Sequence, residues 1–335
     1  MDRKTATWLK SLTESTRKVY KFYWLKFLGY TKMTGEEILA DKISEGNGKW
    51  KGKLFEFKQF LLKEGLSENS AKTGTGVIRG FFRYYESPII FSNNEKKRLK
   101  RAKRKTRDFQ FTKESLRKMN MVSNLTEKYI LIVGKSLGLR ASDFIRLTYG
   151  DFRSLDLNDI APIGLGEIST IKEGIMAYPF LDSDAIPIVK QMLESNIDKQ
   201  DSDRVLPYRK TELTVILQRI GKRAKVSNGN LHVRFHGLRK FLIDRLSAYC
   251  SESQWKQIIG KTITEGAYVS TTQLKQIYTR TMKDITITTQ NNTNTSHQIE
   301  KLAQALTLIL QHLEAEDHNK NPKLNQAKQL LETIT

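Results

Sequence analysis

Apolar residues recur at three- and four-residue intervals through most of the chain, and this period predicts a mostly helical protein. Between residues 7 and 30, Leu12, Tyr20, Tyr23, Trp24, Phe27 and Leu28 fall near helical spacing, with Ser15 or Thr16 as the capping residue. Gly35-Glu-Glu opens a short helix, Gly46-Asn-Gly48 reads as a turn, and 50–63 (WKGKLFEFKQFLLK) is amphipathic. Gly65-Leu66-Ser67 stops that helix and caps another that runs to Tyr85. Four or five helices thus fill the first ninety or so residues, and their aromatic stripe reads as core. A second periodic block starts at Phe111. Thr112 begins a helix, 125–139 (LTEKYILIVGKSLGL) is a buried helix ending at Gly138, and Arg140-Ala-Ser-Asp143 caps the next, whose apolar face is Phe144, Ile145 and Leu147. IAPIG, GEISTIK and IMAYPFL then read as short strands, with Glu173-Gly174 as the turn between the last two. Helices resume over 182–226, with Asp203-Arg-Val-Leu-Pro207 as a turn, and again over 231–280. After the polar TTQNNTNTSHQ, Ile299, Leu302, Leu306, Ile309 and Leu313 alternate by three and four. That spacing suits a short coiled coil or a docked amphipathic helix equally, and Pro322 breaks it. The expected fold class is mostly α with a small β-sheet (α+β).

Composition turns this pattern into domains. Nine lysines and arginines lie between Lys96 and Arg107, and this run separates the two periodic blocks. The expected layout is a helical domain over 1–93, a basic linker over 94–110, a second domain over 111–287 and a helical tail over 288–335. The formal net charge is +21, yet the last 48 residues carry four lysines against five acidic residues. The positive excess therefore lies upstream of the tail, and it favours nucleic acid over an anionic membrane as partner. Mean hydropathy is −0.50. No apolar run approaches the ~20 residues that span a bilayer, and the N-terminal MDRKTATWLK has no apolar core of a signal peptide. The single cysteine, Cys250, sits in a helical apolar pattern as a structural thiol and suits a reducing cytosol, so a cytoplasmic location is expected.

Candidate chemistry concentrates in 231–280. His236-Gly-Leu-Arg239 opens a helix, Gly260-Lys261 follows, and two tyrosines, Tyr268 and Tyr278, come after. Gly138-Leu-Arg140 and Lys172 supply further cations upstream. This assortment suits phosphoryl transfer through a covalent tyrosine ester: cations neutralise the charge growing on phosphate oxygens, and a phenol attacks. Arg140 and Arg239 form the natural bidentate clamp, because planar guanidinium forks match phosphate oxygens. His236, three residues from Arg239 on one helical face, either hydrogen-bonds the phosphate or relays the phenolic proton. Each has a plainer reading: a helix-start arginine paired with Asp143, a capping histidine, a tyrosine in a packed face. The five histidines form no ligand set with cysteines or carboxylates, so no metal is expected.

GLRASD (138–143), Lys172 in a hairpin, HGLRK (236–240) and a downstream tyrosine resemble the tyrosine recombinase or phage integrase family, over roughly residues 10–287. Ile78-Arg-Gly-Phe-Phe-Arg-Tyr84 looks like its core-binding domain, and AYVSTTQLKQIYTRTMKDITI is similar to archaeal members. The resemblance implies a core-binding domain followed by a catalytic domain. It implies a catalytic set of Arg140, Lys172, His236, Arg239, Lys261 and Tyr268, with Lys172 protonating the leaving 5′ oxygen. Lys135, inside a helix, is the weaker rival for that role. Lys261 stands where the family usually has His or Trp. Tyr268 is preferred as nucleophile because the text after it matches the helix that follows the nucleophile in archaeal members; Tyr278, in QIYTRTM, is the competitor. The implied activity is site-specific DNA recombination through a 3′-phosphotyrosyl intermediate, on a mobile genetic element, with no cofactor and no membrane. The implied partners are double-stranded DNA and further copies of the chain, a tetramer in the synapse. A type IB-like topoisomerase and an inactive DNA-binding protein of the same fold are the alternatives.

Overall fold

The computed structural model describes residues 1–100, 108–226, 231–263 and 268–288. The expected coiled-coil tail and most of the basic run lie outside the described residues. The chain separates into two units, Met1–Thr106 and Arg107–Thr335.

In the first unit, α1 (Arg3–Lys10), α2 (Glu14–Thr31), α3 (Gly35–Lys63) and α4 (Glu68–Tyr84) enclose an aromatic core. Asp2 caps α1, Thr34 and Glu37 form a capping box on α3, and Ser67 caps α4. Ser15 and Thr16 are not caps; they fall within the first turn of α2, whose N-cap position is Thr13. The turn expected at residues 46–48 is a kink at Gly46 inside α3. Trp8, Trp24, Trp50, Phe27, Phe57 and Phe81 are fully buried. Trp24 and Phe81 lie 4.2 Å apart between ring centroids, and Trp8 meets Trp24 edge-on at 5.1 Å. Such pairs contribute about 0.5–1.5 kcal/mol each beyond area burial. The linker expected over 94–110 is in part helix: α5 (Asn93–Lys100) buries Leu99 in this core and ties Glu95 to Lys51 at 3.0 Å. One apolar residue and one carboxylate suffice to dock an otherwise charged segment.

The second unit begins with α6 (Lys113–Met121), held by a Thr112–Ser115 capping box. Next, α7 (Leu125–Lys128), a π-helical turn (Tyr129–Val133) and α8 (Gly134–Leu137) run on as one helix, buried from Tyr129 onward. Gly138 stops it at φ +59°, and α9 (Ala141–Phe144) and α10 (Tyr149–Arg153) follow. The expected sheet is a pair of two-residue ladders, β1 (Ile163–Gly164) with β4 (Phe180–Leu181) and β2 (Ile168–Ser169) with β3 (Met176–Ala177), both antiparallel. Their registers differ by one residue, so they form a single hairpin arm bulged between the ladders. Helices α11 (Ala185–Glu194), α12 (Lys210–Arg223), α13 (Phe235–Leu246), α14 (Glu252–Ile259) and α15 (Thr271–Ile285) complete the unit. The core lies where α8, α13 and α15 meet, around Leu137, Leu242 and Leu274. Among the described residues, no helix is long and apolar enough to cross a membrane.

Candidate active site

Two helix ends build the site. Helix α8 stops at Gly138 and α14 at Gly260, both with left-handed backbones, at φ +59° and +67°. A side chain at either position would also collide: a Cβ on Gly138 would lie 2.5 Å from Leu242 Cδ2, and one on Gly260 2.5 Å from Thr170 Cγ2. Glycine thus brings each helix end hard against its neighbour, and each end presents carbonyls lacking a helical partner. The two arginines satisfy them across sequence. Arg239, from α13, donates from Nη1 to Gly138 O at 2.9 Å and Ile259 O at 2.8 Å. Arg140 donates from Nη1 to Gly260 O at 2.8 Å. Only part of each guanidinium is spent on these carbonyls.

Arg239 is 3 % exposed. Burial first, and the Arg140 charge second, lower its pKa to about 10, which still leaves it a cation at neutral pH. Arg140 does not pair with Asp143. Its Nη2 donates to the carboxylate of Glu173, in the hairpin turn. Glu173 Oε2 also accepts from the backbone N–H and the hydroxyl of Thr262, at 2.5 Å each. Burial pushes the Glu173 carboxyl up, but the Thr262 hydrogen bonds and the charges of Arg140 and Arg239 outweigh it and hold the group below its ordinary range. Asp143, buried in α9, accepts from the Ile171 N–H at 3.0 Å and so pins the start of the same turn. Its other oxygen is buried without a hydrogen bond.

His236 occupies the first turn of α13. Three residues along a helix leave two side chains about 60° apart around the axis, so both lie on one side of α13, with Arg239 buried and His236 exposed at the rim. The two share that side of the helix, His236 nearer the solvent. The protein packed about the imidazole and the charges of Lys240, Arg239 and Arg140 hold its pKa below the ordinary value, with Asp108 opposing. Lys172 is exposed in the hairpin turn, next to Glu173. The Lys261 ammonium lies over the Trp255 ring, 5.3 Å from its centroid. Tyr268 is 80 % exposed. The backbone N–H of Val269, the next residue, is held by the buried Gln257 at 3.2 Å. Arg140, Arg239 and His236 thus come together. No hydrogen bond or ion pair among the described residues joins Lys261 or Tyr268 to them.

Tyr278 is fully buried. Its hydroxyl donates to Ser136 O at 2.7 Å and meets Ser136 Oγ at 3.1 Å. Desolvation, with nearby Asp182, pushes its pKa well up. Lys135 is likewise fully buried, bound to Asp182 at 2.7 Å, Asp184 at 2.8 Å and Ile285 O at 2.9 Å. Asp184 in turn accepts from the Ile287 and Thr288 N–H groups. Both residues are taken up in one internal network joining α8, the end of β4 and the chain after α15. Sequence reasoning named neither Glu173 nor Thr262 as part of the site. Among the described residues, no three His, Cys, Asp or Glu side chains converge as a metal-ion site.

No family model matches the chain, and no curated protein matches it. Solved structures do. A lambda integrase(75-356) dimer bound to a COC′ core site is 15% identical, with a TM-score of 0.52, covering 79% of this chain and 98% of that one. A lambda integrase tetramer bound to a Holliday junction is 15% identical, with a TM-score of 0.50 and coverage of 79% and 80%. XerH site-specific recombinase bound to palindromic difH substrate, a post-cleavage complex, is 16% identical, with a TM-score of 0.50 and coverage of 80% and 77%. At such identities the likeness is one of fold, the helical α+β fold of tyrosine recombinases.

Proposed function

We propose that the chain is a tyrosine-type site-specific DNA recombinase. The observation that carries this reading is the convergence of Arg140 and Arg239, each half-spent on backbone carbonyls, with His236 beside them and one anion already drawn in. A phosphodiester in that place has its non-bridging oxygens held by guanidinium groups fixed before substrate arrives, where preorganised charge is worth most. His236, kept neutral at physiological pH, takes the phenolic proton of Tyr268. The phenol oxygen bonds to phosphorus as the P–O5′ bond breaks, leaving a 3′-phosphotyrosyl ester and a 5′ hydroxyl protonated by Lys172. Attack by a 5′ hydroxyl of the partner strand reverses the step, and the ester conserves the bond energy. Tyr268 and Lys172 reach the phosphate by movement of the exposed segments that carry them. Lys261 acts once it leaves Trp255. Upstream of the tail the net charge is strongly positive, which favours double-stranded DNA as substrate. Self-association into a tetramer on DNA, and a place on a mobile genetic element of archaeal type by its sequence ending, complete the proposal.

The placing of the Lys261 ammonium over the Trp255 ring favours one second reading: a DNA-binding protein of this fold without strand cleavage. Incubation with genomic or element DNA, followed by denaturation and peptide mapping, separates the two. A tyrosine-linked adduct is expected, and binding with no adduct would leave only the second reading.

A further inference from the structure

The anion inside the arginine pair belongs to the protein itself. Arg140 gives Nη1 to Gly260 O, so the edge it offers a ligand is the one carrying Nη2, and Glu173 occupies that edge. The same carboxylate is gripped on its other oxygen by both donors of Thr262, the residue two past the left-handed Gly260. Glu173 and Arg140 are largely enclosed, with side chains 20% and 17% exposed. A carboxylate and a phosphodiester present the same paired oxygens to a guanidinium fork, and the two cannot bind one edge together. The turn is held at both ends, by Asp143 on the Ile171 N–H and by Thr170 on Ile175 O, so the position of Glu173 is built in.

We propose that Glu173 holds the seat of a non-bridging phosphate oxygen in the DNA-free protein, and that Thr262 joins Arg140 as a ligand of that oxygen once DNA displaces the carboxylate. The inference rests on the recombinase reading for the identity of the phosphate, though the seat itself is an anion site whatever the chemistry. Glu173 neighbours Lys172, so the turn that withdraws the carboxylate also moves the lysine. Cleavage is then coupled to DNA that binds well enough to expel an internal competitor.

The test uses the full chain without DNA and tungstate, a tetrahedral dianion, titrated by calorimetry. Glu173→Ala and Glu173→Gln should bind tungstate about 10- to 100-fold more tightly than wild type, the range expected when a charged hydrogen-bonded competitor is removed. Adding Thr262→Val or Arg140→Ala to Glu173→Ala should cancel much of the gain. Equal affinity in wild type and both Glu173 variants would overturn the proposal. So would a gain that survives Arg140→Ala, because it would then come from net charge alone. In parallel, covalent capture on a nicked duplex at sub-saturating DNA should be faster for Glu173→Ala than for wild type. Absence of any adduct in wild type would sink the recombinase reading while leaving the tungstate result to decide the seat.

Discussion

The choice between Tyr268 and Tyr278 has an energetic basis that mutation can test. Tyr278 is fully buried, with two hydrogen bonds to Ser136 and its ring 5.2 Å from Phe180. Delivering its hydroxyl to a phosphate exposes roughly 150–250 Å² of buried surface, worth about 4–6 kcal/mol at ~25 cal/mol per Å². The two hydrogen bonds add about 1 kcal/mol each. The sum, about 6–8 kcal/mol, leaves roughly one molecule in 10⁴ to 10⁶ with Tyr278 out. Tyr268, already exposed, carries no such penalty. On a nicked duplex that traps the covalent intermediate, Tyr268→Phe should lower capture to background while DNA binding persists. Tyr278→Phe should keep capture within a few-fold of wild type. Ser136 retains its bonds to Phe180 O and the Asp182 N–H, so the Tyr278 variant should lose only about 1–2 kcal/mol of stability. Capture that survives in Tyr268→Phe and vanishes in Tyr278→Phe would refute the reasoning, and with it the claim that the buried network stays closed during the reaction.

Further outcomes follow from the same geometry. Arg140→Lys should cut cleavage by orders of magnitude with little loss of DNA affinity, since a point charge cannot serve Gly260 O and a phosphate at once; equal loss of both, measured by capture and by gel shift, would indicate a merely structural arginine. Lys135→Met should cost about 3–5 kcal/mol in a denaturant melt, because Asp182 and Asp184 would be left buried without their cation; a change under 1 kcal/mol would mean that the pair is protonated or hydrated. The His236 pKa is depressed, so the neutral form persists to lower pH and its contribution is lost only as pH falls through that depressed value. The acid limb of kcat/KM should therefore have its midpoint below ~6.5 and disappear in His236→Ala; a midpoint above that would contradict a neutral proton acceptor. Neutralising four basic residues of 96–107 should flatten the dependence of log affinity on log salt, and an unchanged slope would place that run off the DNA.

The helical period made most helices legible, and Gly138 marked one of the two ends that matter; that Gly260 ends the other helix came from the structure. Tyr278 reads as a packed residue from its spacing to Leu274 and Met282, and it is buried. What spacing could not show is where side chains at turns point. Glu173 reads as a turn residue, yet its carboxylate sits beside Arg140 because Thr262, 89 positions away, closes over it. Lys261 reads as a phosphate donor, but an aromatic ring six residues back attracts its ammonium. The run beginning at Lys96 reads as linker on charge alone, and a single apolar residue, Leu99, folds its start onto the first core. Arg239 and His236 share a motif and one side of α13, but Arg239 is buried and His236 exposed, a difference that the spacing alone does not show.

The reciprocal grip of Arg140 and Arg239 on the ends of α14 and α8 also separates two hazards in time. A chain emerging from the ribosome has its densest basic run once residue 107 is made, and with it, on the proposed reading, the means to hold DNA. Neither arginine is fixed until Gly260 has been synthesised and both helix ends have closed, across separations of 101 and 120 residues. On the proposed recombinase reading, a nascent, truncated or misfolded copy would hold DNA without being armed to cut it.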